Sequence, residues 1–269
     1  MPSPGAAARL LALLTALLGL SALTLASPAD AADDPPWIEA SLGTWTPAPA
    51  IRLSADADGI VGSEINLRTE LQLPRRPQWD VRVNLQPVRR HGFTVEYLPL
   101  MASATSVLAR HVTFVGATYR SGQPVDASLA WHTVRAGYRY TLLARETWSL
   151  GLNVDLWHSD LRLRLQSGST DREGKSTLPI PGIGTSLRWN VSPRAWISAE
   201  GSMFVIPDKP DHHFGGRYVN ASGSAAWRLT PRLAAQAGVR VIDMRHLGKV
   251  NTGFGRITAL YAGVVVSSK

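Results

Sequence analysis

Between residues 79 and 86 the chain reads WDVRVNLQ, and every second side chain is apolar. Trp79, Val81, Val83 and Leu85 fall on one face of an extended backbone, and Asp80, Arg82, Asn84 and Gln86 fall on the other. Residues 148–155, WSLGLNVD, repeat the pattern with Trp148, Leu150, Leu152 and Val154 set against Ser149, Gly151, Asn153 and Asp155. The same period of two runs through residues 37–45, 92–100, 125–142, 183–191, 195–205, 217–229, 233–241 and 256–266. About ten strands are therefore predicted, and no amphipathic helix competes with them. Two strands change the parity of their apolar set partway, near Thr133 and over residues 157–160, where β-bulges are expected.

The connections sort by length. Short ones fall at residues 87–90, 144–147, 192–194 and 230–231; long polar or Gly/Pro-bearing ones fall at 46–78, 101–124, 167–177, 206–216 and 246–255. The two kinds alternate, which places every short turn and both termini at one end and the long loops at the other. That is the layout of an all-β, transmembrane antiparallel up-and-down β-barrel, with short periplasmic turns and longer outer loops. Eight strands is the alternative count. A repeated corner fits the same frame: WNVSPR (189–194) returns as WRLTPR (227–232). In each copy an outward tryptophan reaches the lipid–water boundary, proline sets the corner and arginine stands on the aqueous side.

A soluble barrel buries its apolar face, whereas a membrane barrel turns that face to lipid. The polar face decides between them: it carries Glu39, Asp80, Arg82, Asn84, Glu96, Arg139, Asn153, Asp155, Arg188, Asn190, Glu200, Arg228, Gln236, Arg240 and Arg256. The apolar face is thin, with Ala40, Gly43, Ala195, Ala199, Gly201, Ala221, Gly223, Ala225, Ala235 and Ala237. A packed core of such small residues would leave voids, but a lipid-facing wall need not interlock with a second protein layer. The expected interior is narrow and ion-paired, because an unpaired charge in a confined bore is costly. Two aromatic girdles are expected: Trp37, Tyr138, Tyr140, Trp148 and Trp227 at the periplasmic boundary, and Trp45, Trp79, Trp131 and Trp157 toward the loops.

The N-terminus adds a compartment. Arg9, the apolar run LLALLTALLGLSALTLA (10–26) and the small-x-small Ala29-Asp30-Ala31 read as a signal peptide over residues 1–31, with the barrel domain at 32–269. No cysteine is present, so neither a lipid-modified cysteine nor a disulfide contributes. No later apolar stretch is long enough for a transmembrane helix. Segments such as RVNLQPVRRHGFTVEYLPL and AGYRYTLL, with the export signal and the loop rhythm, resemble small bacterial outer-membrane β-barrel proteins of poorly characterised function. The chain ends VVVSSK, without the terminal aromatic common in such barrels, and Tyr261 or the strand at 264–266 is expected to take its place. The resemblance implies residence in the outer membrane, insertion by the barrel-assembly machinery, and contact with outer-membrane lipid and lipopolysaccharide.

Candidate chemistry is sparse. The Asp208-Lys209-Pro210-Asp211-His212-His213 loop faintly resembles that of omptin-type barrel proteases, but the only early Asp-x-Asp, Asp56 and Asp58, falls within a long loop. His158, Ser159 and Asp160 supply the residue types of a hydrolytic triad, yet consecutive strand residues face opposite ways. Barrel lipid-A deacylases use His and Ser two apart, and here Asp160 stands in place of the serine; His132 is the neighbouring-strand candidate. No cofactor or metal site is predicted, since His212 and His213 lack a ligand framework. The net charge of +8 comes without a basic helix or an aromatic–basic face, which argues against nucleic acid. Lys175, Arg172, Lys209, Arg217, Arg245 and Lys249 lie toward the loops, where lipopolysaccharide phosphates are the expected partner. The expectation is a non-enzymatic barrel with a structural or interaction role or limited solute passage. The alternatives are a loop-end hydrolase using His132, His158, His212 or His213, and a soluble periplasmic barrel with an apolar ligand in its interior.

Overall fold

The computed structural model describes residues 37–268 except 58, 207–214 and 248–250, so the signal peptide expected over residues 1–31 lies outside the described residues. The described strands are, in order, β1 (Ile38–Ala55), β2 (Ile65–Asn66), β3 (Gln78–Val88), β4 (His91–Val107), β5 (Val112–Phe114), β6 (Ala117–Tyr119), β7 (Pro124–Ala144), β8 (Trp148–Ser167), β9 (Thr170–Ser192), β10 (Ala195–Ile206), β11 (Gly215–Arg228), β12 (Leu233–Leu247) and β13 (Asn251–Ser267). Ten of them, β1, β3, β4 and β7–β13, pair antiparallel with their chain neighbours, and β13 returns to β1 from Glu39↔Ser267 to Ala55↔Asn251. Closure pairs the strands on both sides through the lower wall, which a bilayer requires because lipid satisfies no backbone hydrogen bond, and only the upper parts of strands such as β4 beyond Tyr97 and β9 before Ile183 pair on one side.

On the wall, the alternating positions face as their chemistry demands. Leu152, Val154 and Leu156 point outward and are about half exposed, whereas Gly151, Asn153 and Asp155 point inward and are buried. The repeated corners share one mechanism. Ser192 Oγ accepts from the backbone N–H of Arg194 (3.3 Å) and Ala195 (3.1 Å), and Thr230 Oγ1 accepts from Arg232 (3.3 Å) and Leu233 (3.1 Å). Trp189 and Trp227 stand outward beside these turns, 48% and 55% exposed.

The two expected bulges are absent. The β7–β8 register runs without a shift through Thr133↔Ser159, and β8–β9 does so through Trp157↔Ile180; the irregularities fall instead at Leu85/Val88, Thr141/Leu143 and Ala195/Trp196, beside periplasmic turns. What changes is the environment on both sides of a continuous wall. On β8 the outward series goes from Leu152, Val154 and Leu156 to His158, Asp160, Arg162 and Arg164, while the inward series goes from Asn153 and Asp155 to Trp157, Leu163 and Leu165. Lipid gives way to water outside, and the interior switches from charged to apolar at the same height. The apolar interior set as the mark of a soluble barrel and the ion-paired interior expected of a membrane barrel are thus stacked in one lumen.

The same switch corrects the loop-side girdle. Trp45, Trp131 and Trp157 point into the lumen at 2%, 4% and 0% exposure, and only Trp79 of that set faces outward. Gly43 faces inward opposite Asp80, and Arg256 faces outward beside Asp243. The long connection expected at 167–177 is a tight turn, Gly168-Ser169, with Gly168 at φ 56°, because β8 and β9 continue as a hairpin above the band. Period two is hard to read there: the inward residues opposite Leu163 and Leu165 are Gly174 and Arg172.

Candidate functional site

The membrane-level lumen is crossed by an ionic network centred on Glu96, with separate polar pairs beside it. Glu96 of β4 meets Arg82 of β3 at 2.6 Å and Arg240 of β12 at 2.5 Å, with Arg135 of β7 at 3.7 Å. Arg135 also holds Asp155 of β8 at 2.8 Å and pairs with Glu200 of β10. Arg240 approaches Asp80 at 3.8 Å, Arg188 binds Glu39 at 2.7 Å, and Arg139 donates to Gln86 at 3.0 Å. Strands from opposite sides of the barrel are therefore tied together through charged hydrogen bonds, which are about twice as strong as neutral ones. Toward the periplasm, the buried Trp196 ring lies between the Arg188 and Arg228 guanidinium groups at 4.7 and 5.8 Å.

Above this network the lumen is filled by apolar side chains. Trp157 covers Arg135 at 5.0 Å and packs on Tyr218 at 5.6 Å, forming the seam between the two halves. β3 begins only at Gln78, while β1 and β4 rise higher, and residues 61–77 occupy the space between them with Ile65, Leu67 and Leu71 fully buried. The β5–β6 hairpin adds Val112, Phe114 and Tyr119. Backbone bonds fasten this plug: Leu67 N–H to Ile51 O (3.0 Å), Val115 N–H to Ala55 O (3.2 Å) and Ser63 N–H to Thr113 O (2.7 Å). Tyr119 donates its hydroxyl to Leu165 O at 2.8 Å. Val115 and Gly116 turn the hairpin with φ 47° and 73°, the positive pair required of a type I′ turn. Sequence reasoning assigned these residues to loops; the signal for the plug was the apolar spacing of Ile65, Leu67, Leu71 and Leu73 inside a polar connection.

No protein-family model matches the sequence, and no curated protein does. Among solved structures, the outer membrane protease OmpT from Escherichia coli aligns with 90% of this chain and 99% of its own at 9% identity and a TM-score of 0.56. The fold is that of a bacterial outer-membrane β-barrel. Weaker likenesses to this outer-membrane barrel are the translocator domain of autotransporter NalP from Neisseria meningitidis (97% and 95% covered, 11% identity, TM-score 0.40) and Ail, the attachment invasion locus protein of Yersinia pestis (84% and 97%, 10%, 0.33).

The barrel separates the candidate catalytic residues. Ser159 faces inward and accepts from Trp131 Nε1 at 2.5 Å, whereas His158 and Asp160 share the outward face with His132. His132 stands opposite Asp160 across β7 and β8, but its Nδ1 meets the Tyr97 hydroxyl at 2.8 Å and Asp160 is held by Arg162 at 2.9 Å. Asp56 accepts from Gly62 N–H at 2.8 Å. Asp58, Asp208, Asp211, His212, His213, Lys209 and Lys249 lie outside the described residues.

The loop-side cations fall into two groups. Lys175 and Arg172 stand on the β8–β9 hairpin, where Arg162, Arg164 and Lys175 are balanced by Asp160, Asp171 and Glu173. Arg217 and Arg245 are direct cross-strand partners on the outward face of β11 and β12, and the row continues through Phe254 to Arg52 on β1. Two residues closer to the lipid band, at the next outward position, Asp243 joins Arg217 (2.5 Å) and Arg256 (3.0 Å). Arg52, paired with Glu64 at 3.2 Å, ends this row and Arg256 stands one outward position below it; the sequence reading placed neither here.

Proposed function

We propose that the protein is a non-enzymatic, closed outer-membrane barrel with a structural or interaction role at the cell surface, anchored to lipopolysaccharide by the Arg217–Arg245–Arg256–Arg52 row. The observation that carries the first part is the apolar plug above the ionic network. Opening a path for solute would expose Ile65, Leu67, Leu71 and Leu73, and at about 1.5–3 kcal/mol per buried side chain their burial opposes it by about 6–12 kcal/mol. The network below offers no single-sign path either, since Arg82, Arg135, Arg139, Arg188 and Arg240 are matched by Glu39, Asp80, Glu96, Asp155 and Glu200. Limited solute passage is accordingly set aside in favour of a scaffold role.

The second part rests on position and charge. Arg217, Arg245 and Arg256 stand just above the outward apolar residues Val239, Val241 and Leu260, which on this reading is where outer-leaflet phosphates lie, and guanidinium forks suit phosphate oxygens. Planar-bilayer recording of the purified protein tests the closed state: no steady conductance is expected, and wild-type conductance of porin size would refute it. Lipopolysaccharide co-purification tests the anchor, with a several-fold loss expected in an Arg217→Ala/Arg245→Ala/Arg256→Ala variant that still folds. The likeness to a protease supports a competing hydrolase reading that uses Asp208, Asp211, His212 and His213. Peptide cleavage abolished by His212→Ala would replace the non-enzymatic reading.

A further inference from the structure

The end of the barrel opposite the plug carries an uneven charge. Four short turns close it: Arg89-Arg90 between β3 and β4, Arg145-Glu146-Thr147 between β7 and β8, Pro193-Arg194 between β9 and β10, and residues 229–232, which include Arg232, between β11 and β12. These turns hold five arginines against the single acid Glu146, all of them exposed. At the loop end cations are matched instead, Arg52 by Glu64, Arg110 by Glu70 and Arg164 by Asp171. Among the described residues, Arg90, Arg145, Arg194 and Arg232 enter no ion pair.

Two observations turn this charge toward lipid. The four turns are spaced around the closed sheet, so the arginines are spread over the circumference and not gathered on one side. A folded partner meets one sector of such a ring, whereas the surrounding leaflet meets all of it. The second observation fixes one guanidinium on the lipid face. Arg90 Nη1 approaches the Tyr140 hydroxyl at 3.5 Å, and Tyr140 is the direct cross-strand partner of the outward, exposed Leu152. Two residues further into the wall, the Tyr138 hydroxyl meets His91 Nδ1 at 2.7 Å, and the Tyr138 ring packs on Phe93 at 5.6 Å. A cation, ring hydroxyls and apolar rings, met in that order from water to lipid, match the phosphate, glycerol and acyl chain of a phospholipid.

We propose that this ring binds the phosphates of anionic phospholipids in the leaflet facing the periplasm, with the Arg90–Tyr140 pair as one headgroup contact and Arg145, Arg194 and Arg232 as the others. Guanidinium forks suit phosphate oxygens, and a headgroup with no ammonium of its own leaves the attraction unopposed. The site goes beyond the scaffold role and lies at the other end from the Arg217–Arg245–Arg256 row, so either can fail without the other.

The test is electron spin resonance of the full barrel in phosphatidylcholine bilayers that hold a trace of chain-labelled phosphatidylglycerol or, in parallel, chain-labelled phosphatidylcholine. The motionally restricted fraction gives the relative affinity of the protein surface for each lipid. One arginine at an anionic surface supplies about fivefold, and averaging over the unselective wall leaves an expected preference for phosphatidylglycerol of about twofold. It should vanish at about 1 M salt, where screening acts over about 3 Å. Arg90→Gln/Arg145→Gln/Arg194→Gln/Arg232→Gln is expected to remove the preference and Arg217→Ala/Arg245→Ala/Arg256→Ala to keep it. Heat-shifted gel migration checks folding, and Arg194→Gln/Arg232→Gln, expected to reduce the preference, replaces the quadruple variant if that one does not fold. Equal restriction of the two lipids by the wild type overturns the proposal and points the arginines at a soluble polyanion. So does a preference that survives unchanged in the folded turn variant or vanishes in the row variant, which places the lipid at the loop end.

Discussion

The height of the membrane along β8 can be tested by moving one arginine up the strand. Trp148, Leu150, Leu152, Val154 and Leu156 are its outward apolar residues, and His158 is the next outward position. At about 3.4 Å per residue and a tilt of about 40°, the eight steps from Trp148 to Leu156 rise about 21 Å, close to the apolar band of about 25 Å typical of such barrels. Leu152 then sits at the middle of the bilayer and Leu156 at its outer margin. Leu152→Arg is expected to destabilise by about 2–4 kcal/mol, Leu156→Arg by about 0–1 kcal/mol, and His158→Arg by close to nothing. The assay is reversible urea unfolding from phospholipid vesicles, followed by tryptophan fluorescence, with the three variants compared at one lipid composition. Equal losses at Leu152 and His158, or a larger loss at His158, would refute the assignment of lipid to this face and of the boundary to residues 156–158.

Removing the centre of the ionic network by Glu96→Gln leaves Arg82, Arg135 and Arg240 short of their shared carboxylate, and a loss of about 3–5 kcal/mol is expected in the same assay. Gly174→Leu drives a side chain into the Phe114 ring, costing about 1–3 kcal/mol, and should make the β5–β6 hairpin the first site of limited proteolysis. Ser192→Ala and Thr230→Ala each remove a turn hydroxyl and should cost about 0.5–1.5 kcal/mol, with similar values at the two sites because the bonding is the same. On the β8–β9 hairpin, the Arg164 hydrogen bond (Nε to Oδ1, 2.8 Å) holds the Asp171 carboxyl below its ordinary value of 3.8. Its folded pKa is depressed, so the pairing is fully present above the ordinary value and is lost as pH falls through the folded one. A carbon-13 titration of Asp171 should therefore have its midpoint below 3.8, returning toward it in Arg164→Ala.

Much of the wall was legible because period two is a local property. Residues 79–86 and 148–155 alternate without interruption, and the short corners at Ser192 and Thr230 announce themselves through proline and a capping hydroxyl. The outward Trp189 and Trp227 followed from the same parity. The opposite facing of Ser159 to His158 and Asp160 was legible for the same reason, because consecutive residues of an extended strand point to opposite sides.

What the amino-acid sequence determined by itself was the ten strands of the wall, their alternating faces at membrane level and the four short turns at one end, since each depends on neighbours within a few residues. Only the tertiary structure decided what each face meets. Near Thr133 and Trp157 the apolar set changes parity, and a local reading assigns that to a bulge; the closed register shows a straight strand leaving lipid for water. The inward turn of Trp45, Trp131 and Trp157, and the burial of Ile65, Leu67 and Leu71 among them, depend on segments far apart in the chain meeting inside the barrel. An apolar residue is satisfied equally by lipid or by a plug, so its identity alone does not say which it meets.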